Sequence, residues 1–286
     1  MADAPRQPHR LDEIAGPYAA IVCDVWGVLH NGIAAFPAAV AALTRMRQAG
    51  KAVVLVTNAP RPGEVIEAQL ARLGVARESW DRMVTSGDVT RHLIADGPRR
   101  IFHIGDEDDL SIYEGLDVEL VEEFEAQAVV CTGLFDDEVE RPEDYAEMLR
   151  RLRARDLPFI CANPDIVVER GDRLIWCAGA LARDYAHLGG RTLIAGKPHR
   201  PIYDEALSVA AQLLGRQVAP DEVLAIGDGM LTDVKGAVGA GLDVLFITAG
   251  IHASEYGDPL RPDPARLADF FRRQNHVPLA IMPRLA

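Results

Sequence analysis

The amino-acid sequence predicts an α/β fold built on a parallel sheet, and two observations lead to this prediction. Short apolar runs alternate with helical patterns near the start of the chain and again near its end. This alternation is typical of parallel sheets whose strands are connected by helices. The segment between the two stretches contains further strand and helix patterns, which are enough for a second α/β unit inserted into the first.

The first stretch contains two strand–helix pairs. In chain order they are Ala19–Cys23, Pro37–Ala49, Ala52–Val56 and Gly63–Leu73. The strands are short apolar runs, whereas the first helix carries Val40, Leu43 and Met46 at helical spacing. A glycine follows each helix, at Gly50 and Gly74, as is common at helix ends.

The same order of elements returns late in the chain. Strand and helix patterns alternate over Thr192–Ala195, Pro201–Leu214, Val223–Ile226, Leu231–Ala240 and Val244–Thr248. The intervening segment adds patterns at Ile101–Ile104, Ala128–Cys131, Glu143–Arg153 and Phe159–Ala162. We therefore predict a core domain formed by residues 1–80 and 191–286, and an inserted α/β domain formed by residues 81–190.

The charge balance argues against nucleic acid as a partner. The 286 residues include 30 Lys and Arg against 43 Asp and Glu, which gives a formal net charge of −13. Such a field repels phosphate backbones and acidic membrane surfaces. An anionic substrate would therefore need a local binding device, such as a metal ion, a lysine or main-chain N–H groups.

Cysteine usage and hydropathy favour a reduced, cytoplasmic protein. The four cysteines form no Cys-x-x-Cys pair, and the first ten residues are polar, with no apolar segment behind them. No stretch approaches the roughly 18 apolar residues that span a bilayer. We therefore expect no membrane role.

The polar residues that end the apolar runs are the candidates for chemistry, because ligands of parallel α/β sheets bind at the carboxyl ends of the strands. They comprise three carboxylates, one lysine and a hydroxyl–amide pair. In chain order they are Asp24, Thr57, Asn58, Lys197, Asp228 and Asp233.

This set of side chains suits phosphoryl transfer to an aspartate. A carboxylate can attack phosphorus, a lysine and main-chain N–H groups can hold phosphate oxygens, and Mg²⁺ prefers hard oxygen ligands such as Asp24 and Asp228. Taken singly, each residue has an ordinary structural explanation, such as a helix N-cap or a turn. Their joint occurrence at successive strand ends favours an active site.

Four ordered motifs of the chain resemble those of the haloacid dehalogenase (HAD) superfamily of aspartate-nucleophile hydrolases. They are Asp24-Val25-Trp26-Gly27-Val28-Leu29, Val56-Thr57-Asn58, Gly196-Lys197-Pro198 and Gly227-Asp228-Gly229-Met230-Leu231-Thr232-Asp233. The large insert between the second and third motifs is similar to that of subclass IIA, which includes nitrophenyl, nucleotide and sugar phosphatases. The resemblance implies a Rossmann-like parallel-sheet core with the inserted α/β segment as a cap, Mg²⁺ as cofactor and a small phosphorylated metabolite as substrate. It is also compatible with a homodimer formed through the cap.

The resemblance further implies a metal site. Asp24 would be both the nucleophile and a metal ligand, and the main-chain carbonyl of Trp26 and the carboxylate of Asp228 would be further ligands. Asp233 would orient Lys197 or a metal-bound water from behind the ligands.

A phosphate site is implied by the same motifs. Thr57 and the main-chain N–H of Asn58 would hold phosphate oxygens, and Lys197 would neutralise the phosphate and the nucleophile. Asn163 and Asp165, in the inserted segment, either line a substrate cleft or form a turn around the proline between them.

Trp26 departs from the pattern of the family's phosphatases. These enzymes usually carry, two residues after the nucleophile, a second aspartate that protonates the leaving group and later activates water. An indole cannot transfer protons in this way, and general acid–base assistance typically contributes roughly 10²–10⁴-fold in rate. His30, six residues after Asp24, is our candidate for a substitute acid, with a structural loop histidine as the alternative.

The same departure leaves other functions open. A catalytically impaired protein could keep the pocket for binding or regulation. A carbon–halogen or carbon–phosphorus hydrolase would also explain the missing acid, although two carboxylates around the glycine turn of Gly227–Asp233 make most sense with Mg²⁺. A dinucleotide-binding fold would require a Gly-x-Gly-x-x-Gly turn after the first strand, which the chain lacks.

Overall fold

The computed structural model describes residues 5–170 and 173–286. Its strands are β1 (Ala20–Asp24), β2 (Ala52–Thr57), β3 (Arg82–Thr85), β4 (Arg100–Ile104), β5 (Glu119–Leu120), β6 (Ala128–Cys131), β7 (Phe159–Cys161), β8 (Val167–Arg170), β9 (Arg173–Trp176), β10 (Thr192–Ile194), β11 (Val223–Gly227), β12 (Asp243–Ile247), β13 (Gly257–Asp258), β14 (Arg261–Pro262) and β15 (Ala280–Met282). Its α-helices are α1 (Asp12–Ala15), α2 (Pro37–Gln48), α3 (Gly63–Leu73), α4 (Ser86–Ala95), α5 (Ala146–Ala154), α6 (Ala178–His187), α7 (Arg200–Leu214), α8 (Lys235–Ala240) and α9 (Pro264–Gln274).

The larger sheet has the strand order β15-β12-β11-β1-β2-β3. The pairs from β15 to β2 are parallel. All residues of β1, β2 and β11 are buried, which explains why these strands are continuous apolar runs rather than alternating ones. The register pairs Cys23 with Ile226 and Asp24 with Val56. Thr57 at the end of β2 and the residues that follow β11 therefore lie at the same carboxyl edge of the sheet as Asp24.

The second sheet is also parallel, with the strand order β10-β7-β6-β4-β5. Its core includes Phe159 and Tyr185, whose rings stack with centroids 5.0 Å apart. Two short antiparallel pairs, β8 with β9 and β13 with β14, complete the strand pairing of the described residues.

The described residues group into two compact units. One comprises residues 5–57, 67–84 and 203–286, and the other comprises residues 58–66, 85–170 and 173–202. Each unit contains one of the two parallel sheets. The predicted α/β class is confirmed, whereas the predicted domain bounds, with an inserted domain at residues 81–190, stay a prediction.

Two helices begin differently from their sequence patterns. The pattern over Glu143–Arg153 becomes α5 only from Ala146, because a 3₁₀ turn starting at Pro142 precedes it. The pattern over Leu231–Ala240 begins as a π-helical turn, Met230–Val234, which continues into α8. Among the described residues, no helix combines the length and the apolar composition needed to cross a bilayer.

Candidate functional site

Three buried aspartates come together at the carboxyl edge of the larger sheet. Asp24 is the last residue of β1, and Asp228 and Asp233 follow β11. Their exposed fractions are 7%, 7% and 6%. One carboxylate oxygen of each residue lies within 4.8 Å of those of the other two. Sequence positions more than 200 residues apart are thus brought into one cluster, as the strand-end argument predicted.

Two glycines make room for the carboxylate of Asp228. A Cβ atom at Gly27 or at Gly250 would lie 2.0 Å from Asp228 Oδ2. Gly27 also has a φ angle of +78°, which side chains rarely adopt. The main chain after β1 therefore approaches Asp228 closely, and Trp26, whose carbonyl is a predicted metal ligand, directly precedes this point of contact.

The loop that carries Asp228 and Asp233 is held by its own hydrogen bonds. Gly229 N donates to Asp233 Oδ2 at 3.0 Å, and Asp233 N donates to the carbonyl of Gly229 at 2.9 Å. A Cβ at Gly227 would lie 2.3 Å from the Asp233 side chain. The glycines therefore allow the carboxylate of Asp233 to fold back over the loop, and π-helical turns of this kind often occur at functional sites.

The segment after β12 supports this loop from the neighbouring strand end. Ile251 N donates to Asp228 Oδ2 at 3.0 Å, and the main-chain N–H of Met230 donates to His252 Nε2 at 3.1 Å. The sequence pattern predicts this strand, but the role of the residues that follow it is not predicted. Their position at the carboxyl end of a parallel strand is the signal that could indicate them.

The donor set of the cluster fits a divalent cation. Three carboxylates this close and this buried repel one another strongly when ionised. A hard cation with oxygen ligands removes that repulsion, and one or two carboxylates are the usual protein contribution to a Mg²⁺ site. Within the described residues, this is the one group of three His, Cys, Asp or Glu side chains close enough to share a metal ion.

The predicted phosphate residues lie at strand ends as well. Thr57 ends β2 and is buried in the first unit. In the second unit, Lys197 is 4% exposed, and its main-chain N–H donates to Asn58 Oδ1 at 2.7 Å. Asn58 Nδ2 donates in turn to the carbonyl of Lys197 at 3.2 Å and to Asp165 Oδ1 at 2.9 Å. The structure thus adds a role for the Asn58 side chain that the sequence did not suggest.

The loop around Asn163 has the geometry of a turn. Asn163 Oδ1 accepts a hydrogen bond from the main-chain N–H of Asp165 at 3.1 Å, which is a local Asx-type contact. This favours the turn interpretation for Asn163. Asp165, which contacts Asn58, remains a predicted cleft residue.

Trp26 and His30 pack against each other in the loop after β1. Their ring centroids are 5.0 Å apart at an interplanar angle of 65°, and a Cβ at Gly32 would lie 2.7 Å from the Trp26 ring. The Nε1 of Trp26 is buried and makes no hydrogen bond within the part of the chain that is described. The position two residues after Asp24 therefore holds an indole anchored in the loop.

The surroundings of His30 count against the proton-donor role that the sequence suggested. The ring is 2% exposed, and its Nδ1 accepts a hydrogen bond from Gly32 N at 2.9 Å. Burial lowers the pKa of His30 to about 4. The ring is then neutral near pH 7, and a neutral imidazole is a much weaker acid than the protonated one.

Comparisons with known proteins agree with this architecture. Residues 21–119 match the family model described as haloacid dehalogenase-like hydrolase, and residues 194–272 match the model described as HAD-hydrolase-like. A crystal structure of a haloacid dehalogenase-like family hydrolase from Brucella suis 1330 is 60% identical, with a TM-score of 0.89. That alignment covers 98% of this chain and 100% of the other.

Two more distant relatives carry names of specific enzymes. The glycerol phosphate phosphatase from Mycobacterium tuberculosis, solved in complex with calcium, is 26% identical with a TM-score of 0.63, over 83% of this chain and 68% of the other. The ribonucleotide monophosphatase NagD from Escherichia coli strain K12 is 26% identical, over 85% of this chain and 93% of its own length. Relatives of this kind indicate subclass IIA. The fold, the ordered motifs and the 60% identical relative show that the chain belongs to the haloacid dehalogenase superfamily of hydrolases.

Proposed function

We propose that the protein is a Mg²⁺-dependent phosphohydrolase that acts on a small phosphorylated metabolite, such as a sugar or nucleotide phosphate. The observation that carries this proposal is the buried cluster of Asp24, Asp228 and Asp233 at the carboxyl edge of the larger sheet. The phosphatase names of the two more distant relatives support the substrate class.

The reaction would proceed in two steps through Asp24. First, a carboxylate oxygen of Asp24 attacks phosphorus, and the bond to the leaving-group oxygen breaks with its electron pair staying on that oxygen. Second, water attacks the phosphorus of the aspartyl-phosphate, which releases inorganic phosphate and a proton and restores the carboxylate. In the first step the ester oxygen of the substrate takes up a proton from solvent water as the alcohol departs, and the proton released in the second step balances it.

The carboxylate cluster would hold Mg²⁺, with Asp24, Asp228 and the main-chain carbonyl of Trp26 as ligands and Asp233 behind them. When bound, the ion would stabilise negative charge on the transferring phosphoryl group. Asp233 accepts a hydrogen bond from Gly229 N, so its carboxylate also keeps the loop folded around Asp228.

Thr57, the main-chain N–H of Asn58 and Lys197 would hold the phosphate. The lysine supplies the positive charge that the chain as a whole lacks, since the net charge is −13. The Asn58 side chain holds the main chain on both sides of the Lys197 Cα atom. This contact supports a role for Asn58 in orienting Lys197, in addition to binding phosphate.

A second candidate function is that of a catalytically impaired protein that binds a phosphorylated ligand for regulation. The packing of Trp26 against His30 and Gly32 favours it, because an indole stands where the phosphatases have an acid. In this case Mg²⁺ and a ligand would bind without turnover.

We further propose a cytoplasmic location and no nucleic-acid or membrane partner. The four buried cysteines form no disulfide within the described residues, which supports the location, and the net charge of −13 argues against these partners. We also propose a core domain of residues 1–80 and 191–286 and an inserted cap domain of residues 81–190. A homodimer through the cap is compatible with the family resemblance.

Steady-state hydrolysis of p-nitrophenyl phosphate and a panel of phosphorylated metabolites, with and without Mg²⁺, tests the proposed function. We expect Mg²⁺-dependent turnover in the parent protein and none in Asp24→Asn, with the fold checked by circular dichroism. Turnover by Asp24→Asn at a rate near that of the parent would contradict the mechanism.

The same assay separates the two candidate functions. If the parent is inactive but Trp26→Asp gains Mg²⁺-dependent activity, the pocket is intact and only the acid is missing, which supports the binding function. A thermal shift with Mg²⁺ and one ligand that is not consumed would support it further.

A further inference from the structure

His252 contacts the loop that carries two of the three clustered aspartates. Its Nε2 accepts a hydrogen bond from the main-chain N–H of Met230 at 3.1 Å. Met230 lies two residues after Asp228 and begins the π-helical turn that contains Asp233. An N–H at the start of a helical turn has no partner within the helix. The imidazole therefore satisfies a main-chain donor located between the two aspartates.

The His252 ring packs against the ring of Phe270 in α9. The centroids of the His252 and Phe270 rings lie 5.2 Å apart, at an interplanar angle of 46°. Phe270 is fully buried in α9 and also contacts the rings of Tyr256 and Phe246. The imidazole is thus held on a packed aromatic surface rather than in an open loop.

The two residues before His252 reach the same loop. Ile251 N donates to Asp228 Oδ2 at 3.0 Å, and the absence of a Cβ at Gly250 lets that oxygen approach the main chain. Gly250, Ile251 and His252 therefore contact Asp228 and Met230 from the end of β12. His252 is the one of the three that acts through its side chain.

We propose that His252 is a positioning residue for the metal site, which it supports by accepting the Met230 N–H and so holding Asp228 and Asp233 in their clustered arrangement. This inference rests on the metal site of the proposed function. Because a main-chain N–H can only donate, Nε2 must be the acceptor, and the neutral ring then carries its hydrogen on Nδ1. Groups that orient metal ligands from behind typically change metal affinity by roughly 10–100-fold when they are removed.

Two amide substitutions separate this role from general packing. In His252→Gln, the longer side chain can place an oxygen where Nε2 lies, whereas in His252→Asn the shorter side chain cannot reach Met230. The exposed His187, in the last turn of α6, provides the control His187→Asn. Mg²⁺ binding would be measured by isothermal titration calorimetry without substrate, together with the thermal unfolding of each variant in chelator.

We expect His252→Asn to weaken Mg²⁺ binding about tenfold or more, and His252→Gln and His187→Asn to stay within about threefold of the parent. Equal affinities of the folded Gln and Asn variants and the parent would overturn the role of His252. If the parent itself bound no Mg²⁺, the metal site of the proposed function would fail. If the parent bound Mg²⁺ and His252→Asn bound it equally well, only the role of His252 would fail, so the two failures are distinguishable.

A measurement on the parent covers the case in which His252→Asn does not fold. Amide hydrogen exchange of Met230, followed by NMR, should be slow and should become slower when Mg²⁺ is added, because the ion stabilises the loop. Rapid exchange that Mg²⁺ does not change would overturn the proposal.

Discussion

The side-chain amide of Asn58 pairs with the main chain of Lys197 in both directions. Lys197 N donates to Asn58 Oδ1 at 2.7 Å, and Asn58 Nδ2 donates to the Lys197 carbonyl at 3.2 Å. Both residues are buried, so each of these groups would lose its partner without gaining water if the pair were broken. The contact ties the residue that follows β2 to the loop that follows β10.

Replacing Asn58 should therefore affect both stability and substrate binding. In Asn58→Leu, two buried main-chain groups of Lys197 lose their partners, at a cost of about 1–3 kcal/mol each. We expect a lower midpoint in urea unfolding and a higher KM, because Lys197 is no longer held. Gln212→Leu, on an exposed position of α7, is the control. Unchanged stability and KM in Asn58→Leu would show that the amide pair is dispensable.

The close approach at Gly250 gives a second prediction. A Cβ there would lie 2.0 Å from Asp228 Oδ2, whereas a Cβ at Gly16 would meet nothing within 4 Å. Gly250→Ala should displace the carboxylate and weaken Mg²⁺ binding by about tenfold or more. Gly16→Ala should leave binding unchanged. Calorimetric titration of both variants checks this, and parent-like affinity of Gly250→Ala would contradict the described packing.

Repulsion between the clustered aspartates should lower the stability of the protein when no metal is bound. At 4.8 Å, the upper limit of the oxygen separations in the cluster, and an effective dielectric constant of about 20, two unit charges repel by about 3.5 kcal/mol. Asp228→Asn removes one charge and can keep the hydrogen bond from Ile251 N. In chelator we expect this variant to melt above the parent, by about 2 °C or more.

In Mg²⁺, by contrast, only the parent should gain stability, because Asp228→Asn loses a ligand. Asp221→Asn, at an exposed position before β11, is the control for loss of a negative charge. Differential scanning calorimetry measures both conditions. A variant that melts below the parent in chelator would argue against strained carboxylates in the cluster.

The pH dependence of stability should include a contribution from His103. Its Nδ1 lies 2.8 Å from the Tyr113 hydroxyl, and burial lowers the pKa of His103 against the opposing effects of Asp106 and Asp109. In the unfolded chain, the His103 imidazole takes up a proton near pH 6.5, whereas in the folded protein it stays neutral to a lower pH. The contribution of the neutral ring to the free energy of unfolding is therefore fully present above about pH 6.5. It is lost as the pH falls through the lower pKa of His103 in the folded protein.

We therefore expect the urea midpoint of the parent to fall more steeply than that of His103→Asn between about pH 7.5 and about pH 5.5. His187→Asn, at an exposed position, should follow the parent. Parallel midpoints for the parent and His103→Asn would show that burial does not hold this ring neutral.

The site residues that could be predicted from the sequence are those at or shortly after the carboxyl ends of strands. Asp24 and Asp228 follow apolar runs and Asp233 lies five residues after Asp228, and the structure does bring the three together. In these cases, the change from apolar to acidic residues is enough to indicate the site. The same pattern indicates Asn58 as a candidate, and the family resemblance implies a role for its main-chain N–H, but neither indicates that its side chain pairs with Lys197.

The contacts that the sequence did not predict depend on the main chain or on the absence of a side chain. Gly250 and Ile251 act through a missing Cβ and an N–H, and neither leaves a pattern in residue type. The helix α4 was also missed, although Thr85 and Asp88 form a capping box that can be recognised from their spacing. The π-helical turn at Met230 is accompanied by a hydrogen bond from Gly229 N to the Asp233 carboxylate. The spacing of apolar residues along a helix does not indicate such a contact.

In the proposed mechanism, Asp24 is the nucleophile of a Mg²⁺-dependent phosphoryl transfer. Rapid acid quench of the protein during turnover of a phosphorylated substrate, followed by peptide mass spectrometry, tests this directly. We expect a phosphoryl group on Asp24 when Mg²⁺ is present and none when it is chelated. Turnover with the phosphoryl group on a different residue would show that Asp24 is not the nucleophile.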